Sequence, residues 1–197
     1  MQAYQRQIVV CARRCLDPHV AALTPAPNTG EVHPVRLGSA LSRSSKATAS
    51  EIMTRMIEGL EQLVRGEAPP PAVARLIGFR LTSVEPGRAI IELDADARHA
   101  NPMGTLHGGV LCDIADAAMG MAYASKLDEG ETFTTLELKI NFLKPVWNAK
   151  LRAIGTVVKW GRTVGLVECD VIDQNGGLVA RASSTCLTLR GSQASGR

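Results

Sequence analysis

The stretch Asn101-Pro-Met-Gly-Thr-Leu-His-Gly-Gly-Val-Leu-Cys-Asp-Ile-Ala-Asp116 decides the fold that we expect for this chain. Its opening Asn-Pro pair disfavours helix at the first residue and therefore predicts a loop. From Val110 onward, apolar residues recur at the spacing of one helix face: Leu111, Ile114, Ala115, Ala118 and Ala122. We therefore predict a loop followed by an amphipathic helix that ends near Lys126.

The Gly108-Gly109 pair lies where this helix begins. Backbone N–H groups at a helix start have no partner within the helix, and the helix dipole there favours negative charge. Asp116 borders the apolar stripe, whereas Asp113 points almost to the opposite side and is expected to be a solvated charge. One element thus offers an amide donor and a carboxylate, although the two glycines are also compatible with close packing alone.

The segments on either side predict an α+β fold. Upstream, the pattern indicates a helix over 51–65 capped by Ser50, a short helix over 72–77, and a hairpin of strands 79–84 and 89–93. Downstream, four strands are expected: one with Leu136, Leu138, Ile140 and Phe142 buried, ending at Pro145, then 149–160, 163–173 and 178–190. One long helix covers only part of one face of such an antiparallel sheet, which predicts a dimer.

The termini differ from this core. Residues 1–49 contain four prolines and a Ser- and Ala-rich run, so we expect a disordered or transit-peptide-like extension before a domain over 50–190 and a flexible tail over 191–197. Residues 1–50 hold six basic and two acidic side chains, and the rest of the chain is nearly neutral, which gives no reason to expect nucleic acid as a partner.

The cysteine pattern and hydropathy indicate a cytoplasmic protein. The five cysteines form no disulfide framework, and Cys11, Cys15 and His19 lack a fourth ligand, so we expect free thiols and no metal. No segment approaches the run of about 20 apolar residues that crosses a bilayer, so no membrane association is expected.

Two motifs together carry a family resemblance. The segment from Asn101 to Asp116, followed by Thr135-Leu-Glu-Leu-Lys-Ile-Asn-Phe-Leu-Lys-Pro145, resembles hotdog-fold acyl-CoA thioesterases of the phenylacetate-degradation type over roughly residues 53–190. The resemblance implies a curled antiparallel sheet around one central helix, and a homodimer or homotetramer whose active site lies between two subunits. It also implies hydrolysis of acyl-CoA to a carboxylic acid and coenzyme A, with no cofactor.

The resemblance implies a role for each matching residue. Asp116 is the carboxylate that activates water or attacks the thioester itself, and the Gly108 N–H polarises the thioester carbonyl. Asn101 and His107 are the polar residues beside that carbonyl, and Thr135 helps to orient the water. Arg162 is a candidate contact for coenzyme A phosphates.

Several of these assignments have alternatives. His107 is equally compatible with capping the helix, Asn101 with a simple turn, and Arg162 with an ordinary surface arginine. Strand alternation puts Thr134, not Thr135, on the side of Leu136. The alternative functions are a hotdog dehydratase or hydratase, which the order of His and Asp disfavours, and a non-catalytic acyl-CoA-binding module.

Overall fold

The computed structural model describes residues 49–128 and 130–194. The predictions for residues 1–48, including Cys11, Cys15 and His19, and those for residues 195–197 lie outside this part of the chain. Gly191–Gln193, at the start of the predicted tail, form one turn of 3-10 helix.

The helices and strands follow the predicted order. They are α1 (Ala49–Arg65), α2 (Ala72–Ile77), β1 (Arg80–Glu85), β2 (Arg88–Ala95), α3 (Gly108–Ala124), β3 (Glu131–Phe142), β4 (Ala149–Lys159), β5 (Val164–Ile172) and β6 (Leu178–Arg190). A 3-10 turn, Ala97–His99, precedes the loop that leads into α3. The predicted α+β class is confirmed.

One antiparallel sheet in the order β1-β2-β4-β5-β6-β3 packs around α3. The two edge strands differ in what lies beside them. Helix α1 packs beside β1, whereas the outer edge of β3 pairs with no strand in the described residues. A long strand with one unpaired edge is a template for pairing with another chain.

Small residues let α3 lie very close to the sheet. The predicted stripe of Leu111, Ile114, Ala115, Ala118 and Ala122 is buried. Beneath it, a side chain at Gly155 of β4 would overlap the backbone carbonyl of Ala118, so glycine is required at this contact. The core therefore depends on backbone approach as well as on apolar volume.

The alternation predicted for β3 is wrong at Leu136, which is 55% exposed. Thr135 pairs with Cys186 and Glu137 pairs with Thr185, so Leu136 is an extra residue in the ladder. Such a β-bulge shifts the side-chain alternation by one position. Thr135 consequently faces α3, and the helix-facing positions continue after the bulge at Leu138 and Ile140, both packed against the core. Phe142, also predicted to be buried, is 56% exposed.

Gly155→Ala should destabilise the domain, because its methyl group can be accommodated only by moving α3 away from the sheet. We expect a loss of about 1–3 kcal/mol in the free energy of unfolding, the usual range for overpacking a core. Urea denaturation followed by circular dichroism measures this. The matched control is Gly59→Ala in α1, where a Cβ meets no atom within 4 Å and the change should stabilise by about 0.5–1 kcal/mol. Equal effects at the two glycines would contradict the close contact.

Candidate functional site

The loop before α3 is held closed by its own backbone. A bridge joins Ala100 to Leu106, the Asn101 N–H donates to the Thr105 carbonyl at 2.7 Å, and Gly104 has a φ of 85°. That positive φ favours glycine at the turn. The loop therefore presents its last residues to the helix in one defined conformation.

Both polar ends of the Asn101 side chain are used inside this loop. Its Nδ2 donates to Thr105 Oγ1 at 2.8 Å, and its Oδ1 accepts the Met103 N–H at 2.9 Å. This geometry fits the turn interpretation of Asn101. The residue still lines the cleft at the helix start, so it supports the wall of that cleft.

His107 is the N-cap of α3. Its Nδ1 accepts the Gly109 N–H at 2.9 Å. A side chain at Gly109 would lie 2.8 Å from the same nitrogen, which explains the second glycine of the pair. The structure thus gives His107 the capping role that was one of its two predicted interpretations.

The Gly108 amide remains available at the helix start. Within residues 49–128 and 130–194, it donates no hydrogen bond, whereas the next two amides donate to the His107 side chain and carbonyl. Gly108 opens onto a cleft of about 390 Å³, which Leu111 and Val146 line as buried apolar residues. An unpaired N–H at the positive end of a helix dipole is a ready donor for an anionic oxygen.

Asp116 lies on the exposed flank of α3, next to β3. Thr135 Oγ1 donates to Asp116 Oδ1 at 3.2 Å, a contact that the bulge at Leu136 makes possible. Of the two candidate threonines, the structure brings Thr135 to the carboxylate. Asp113 is also largely exposed. The pKa of its carboxyl is raised, first because neighbouring protein atoms remove part of its solvation and second because the negative charge of Asp116 is nearby.

The structure therefore places the predicted residues in two groups. Asn101, His107 and Gly108 lie at the start of α3, and Asp116 and Thr135 lie on its flank. Eight residues of helix correspond to about 12 Å along the axis, and the Gly108 N–H points away from the helix body. Arg162 is exposed in the β4–β5 turn. The carbonyl of its neighbour Thr163 accepts the N–H of Thr188, and Thr188 pairs with Phe133 of β3. The turn therefore lies near the part of β3 that contains Thr135.

An ion pair that the sequence analysis missed holds one wall of the cleft. Lys144 lines the cleft and donates through Nζ to Asp173, whose side chain is only 4% exposed. Asp173 Oδ1 also accepts the N–H groups of Asn175 and Gly177, both at 2.9 Å. The bond to Lys144 and these amides lower the pKa of Asp173. This network ties the segment after β3 to the β5–β6 turn.

Two further residues were missed for different reasons. His99 anchors the loop by accepting the Asp96 N–H through Nδ1 and contacting the Ile77 carbonyl through Nε2 at 2.8 Å. Its signal was present, because Asp96 and His99 have the spacing of a capping box. Phe142 packs against Gly108, a contact between distant positions that no local pattern indicates.

The described residues contain no cluster of three or more His, Cys, Asp or Glu side chains arranged to hold a metal ion. Among their helices, none is both long enough and apolar enough to cross a bilayer.

The comparisons with known proteins agree with this architecture. Residues 103–180 match the family described as the thioesterase superfamily. Human acyl-coenzyme A thioesterase 13 is 26% identical over 68% of this chain and 96% of its own length. The proofreading thioesterase EntH of Klebsiella pneumoniae is 31% identical over 56% of this chain and 77% of its own.

A solved structure extends the match to the fold. The phenylacetic acid degradation-related protein of Ralstonia eutropha JMP134 superposes with a TM-score of 0.59 at 33% identity, covering 65% of this chain and 98% of that protein. The chain belongs to the thioesterase superfamily and has its hotdog fold, with α3 as the central helix. Family membership supports thioester hydrolysis as the class of reaction.

Asp173→Asn should lower the free energy of unfolding at neutral pH. It should also make that free energy depend less on pH in the acid range. The pKa of Asp173 is lower in the folded protein than in the unfolded chain. Its contribution to stability is therefore complete above the ordinary aspartate pKa of about 3.9 and is lost as the pH falls through the pKa of the folded state. Urea denaturation at several pH values between about 7 and 2.5 compares the wild-type protein with the Asp173→Asn variant. Asp170→Asn, which removes the more exposed pair with Arg181, is the control. An unchanged pH slope in Asp173→Asn would contradict this assignment.

Proposed function

We propose that this protein hydrolyses acyl-CoA thioesters to a carboxylic acid and free coenzyme A. The observation that carries the proposal is the available Gly108 amide, which opens at the positive end of α3 onto an apolar cleft. Thioester hydrolysis builds negative charge on the carbonyl oxygen, and a fixed donor stabilises that charge without reorganising. The relatives named as thioesterases support the same reaction.

In the proposed mechanism, the Gly108 N–H binds the carbonyl oxygen and Asp116 acts as general base. Asp116 takes a proton from water while the water oxygen adds to the thioester carbon. The tetrahedral intermediate then collapses, the C–S bond breaks, and the thiolate of coenzyme A leaves and is protonated. Thr135, already bonded to Asp116, orients the carboxylate and the water. General-base catalysis of this kind contributes about 10²–10⁴-fold.

The distance between the two groups supports a site in which they come from different chains. A carboxylate that acts through one water must lie within roughly 6 Å of the carbonyl carbon. In one chain, Gly108 and Asp116 are separated by about 12 Å along α3, and the carbonyl binds beyond the helix end. We therefore propose that Asp116 of a second copy completes the site at Gly108, so that a dimer contains two composite sites.

The outer edge of β3, which pairs with no strand in the part of the chain that the structure describes, is the surface that suits this second copy. β3 spans twelve residues, with Thr135, its fifth residue, against Asp116 and Phe142, its last, against Gly108. Antiparallel pairing of two β3 strands opposes the Thr135 end of one chain to the Phe142 end of its partner. Such pairing also covers Asp116, which is exposed in the single chain.

The remaining predicted residues take supporting roles in this proposal. His107 fixes the helix start by capping it, and Asn101 fixes the loop that lines the cleft. The turn that contains Arg162 lies near the part of β3 that contains Thr135, so in the proposed dimer Arg162 flanks the composite site from the same chain as the acid. There it contributes a salt-sensitive contact with the phosphates of coenzyme A.

Asp116→Asn should abolish turnover while leaving the fold intact, because the amide keeps the side-chain shape but is not a base. We expect a fall in kcat of about 10²–10⁴-fold. The release of free thiol from acyl-CoA, followed with a thiol reagent, measures it. Asp113→Asn is the matched control, three residues earlier on the same helix, and should keep wild-type activity. A fully active Asp116→Asn protein would exclude the proposed base, and release of no thiol by the wild-type protein would favour the alternative functions.

Gly108→Pro removes the amide donor, and proline is tolerated at the first position of a helix. Gly108→Ala is its control: both variants add a Cβ that would lie 2.9 Å from the Phe142 ring, but only alanine keeps the N–H. We expect Gly108→Pro to lose about 10²–10³-fold more in kcat than Gly108→Ala. Equal rates for the two variants would show that the amide does not act on the substrate.

Mixing the two inactive proteins tests the composite site. A heterodimer of Gly108→Pro and Asp116→Asn chains has one site with both changes and one with neither. After subunit exchange in mild denaturant, random pairing should restore about a quarter of the wild-type activity. If Gly108 and Asp116 acted within one chain, every site would carry one change and no activity would return.

A further inference from the structure

The ring of Phe142 lies against the backbone of Gly108. A Cβ built on Gly108 would be 2.9 Å from Phe142 Cζ and 3.2–3.3 Å from the two Cε atoms. The ring can therefore lie in this position because Gly108 has no side chain. The ring and the available amide occupy the same corner of the cleft.

Phe142 nevertheless leaves much of its surface open, with 56% exposed in the single chain. Its neighbours in the cleft, Leu111 and Val146, are buried and apolar. The open side of such a phenyl ring is removed from water only when another group covers it, and this removal is favourable. This geometry leaves room beside the ring for an apolar group of the ligand.

The position of the amide fixes which part of a thioester meets the ring. A carbonyl oxygen accepting from the Gly108 N–H places the carbonyl carbon about 3–4 Å from that nitrogen. The two atoms bonded to this carbon, the acyl α-carbon and the sulfur, then lie beside a ring that is already in contact with Gly108. Because Leu111 and Val146 continue the apolar surface, the acyl side faces the ring and the sulfur faces outward.

We propose that Phe142 is a specificity-determining residue that limits substitution at the acyl α-carbon. This inference rests on the proposed acyl-CoA thioesterase function and deepens it. A straight chain passes the ring edge with one CH₂, whereas each α-methyl group requires space that the ring occupies. Phe142 therefore discriminates against α-branched acyl groups.

The test compares butyryl-CoA, isobutyryl-CoA and pivaloyl-CoA, whose acyl α-carbons carry one, two and three carbon substituents besides the carbonyl. The measured quantity is the ratio of kcat/KM for each branched substrate to that for butyryl-CoA. Phe142→Ala should raise the pivaloyl ratio by about 10-fold or more, since one methylene in a pocket alters selectivity by about 10–200-fold. Phe142→Leu should give an intermediate rise, and Phe142→Trp a fall.

Leu143→Ala is the matched control, because Leu143 is the next residue, lines the same cleft and is similarly exposed. Its ratio should stay at the wild-type value. An unchanged ratio across the Phe142 series, or an equal rise in Leu143→Ala, would overturn the inference. If Phe142→Ala does not fold, the opposite shifts expected for leucine and tryptophan decide the matter. A wild-type protein that releases no thiol from any acyl-CoA would instead refute the proposed function.

Discussion

The contact between α3 and the sheet at Gly155 is the constraint on which the site depends. Because a side chain there would overlap the Ala118 carbonyl, the helix lies at a fixed height above β4. Gly108 and Asp116 belong to the same helix as Ala118, so this contact helps to position both groups relative to the sheet. The two groups cannot approach one another by movement of a rigid helix. In the function that we propose, a second copy therefore supplies the carboxylate that the first chain places too far from its own Gly108.

The local features of the fold could be predicted from the sequence, because apolar periodicity and turn residues report on neighbouring positions. The stripe on α3 and the hairpin around Gly87 are examples. The bulge at Leu136 could not be predicted in this way, since a strand of alternating residues carries no local sign of an extra position in its ladder. The bulge is visible only in the pairing of β3 with β6. The choice between Thr134 and Thr135 depended on that single residue.

The candidate site divides along the same line. The loop and the glycine pair could be predicted because turn formation and helix capping depend on neighbouring residues. These local patterns correctly predicted that Gly108 and His107 lie at the helix start. The contacts of Phe142 with Gly108 and of Lys144 with Asp173 join residues about thirty positions apart. Physical complementarity creates these contacts only after the sheet has closed around the helix, so they required the structure.

Strand β3 connects the two halves of the proposed site. Before the bulge it presents Thr135 to Asp116, and after the bulge it presents Phe142 to Gly108. These residues are seven positions apart, so without the bulge they would point to opposite faces of the sheet. The extra residue at Leu136 brings both onto the face of the helix. The β-bulge is therefore what allows one edge strand to contact both Asp116 and Gly108, as the proposed site requires.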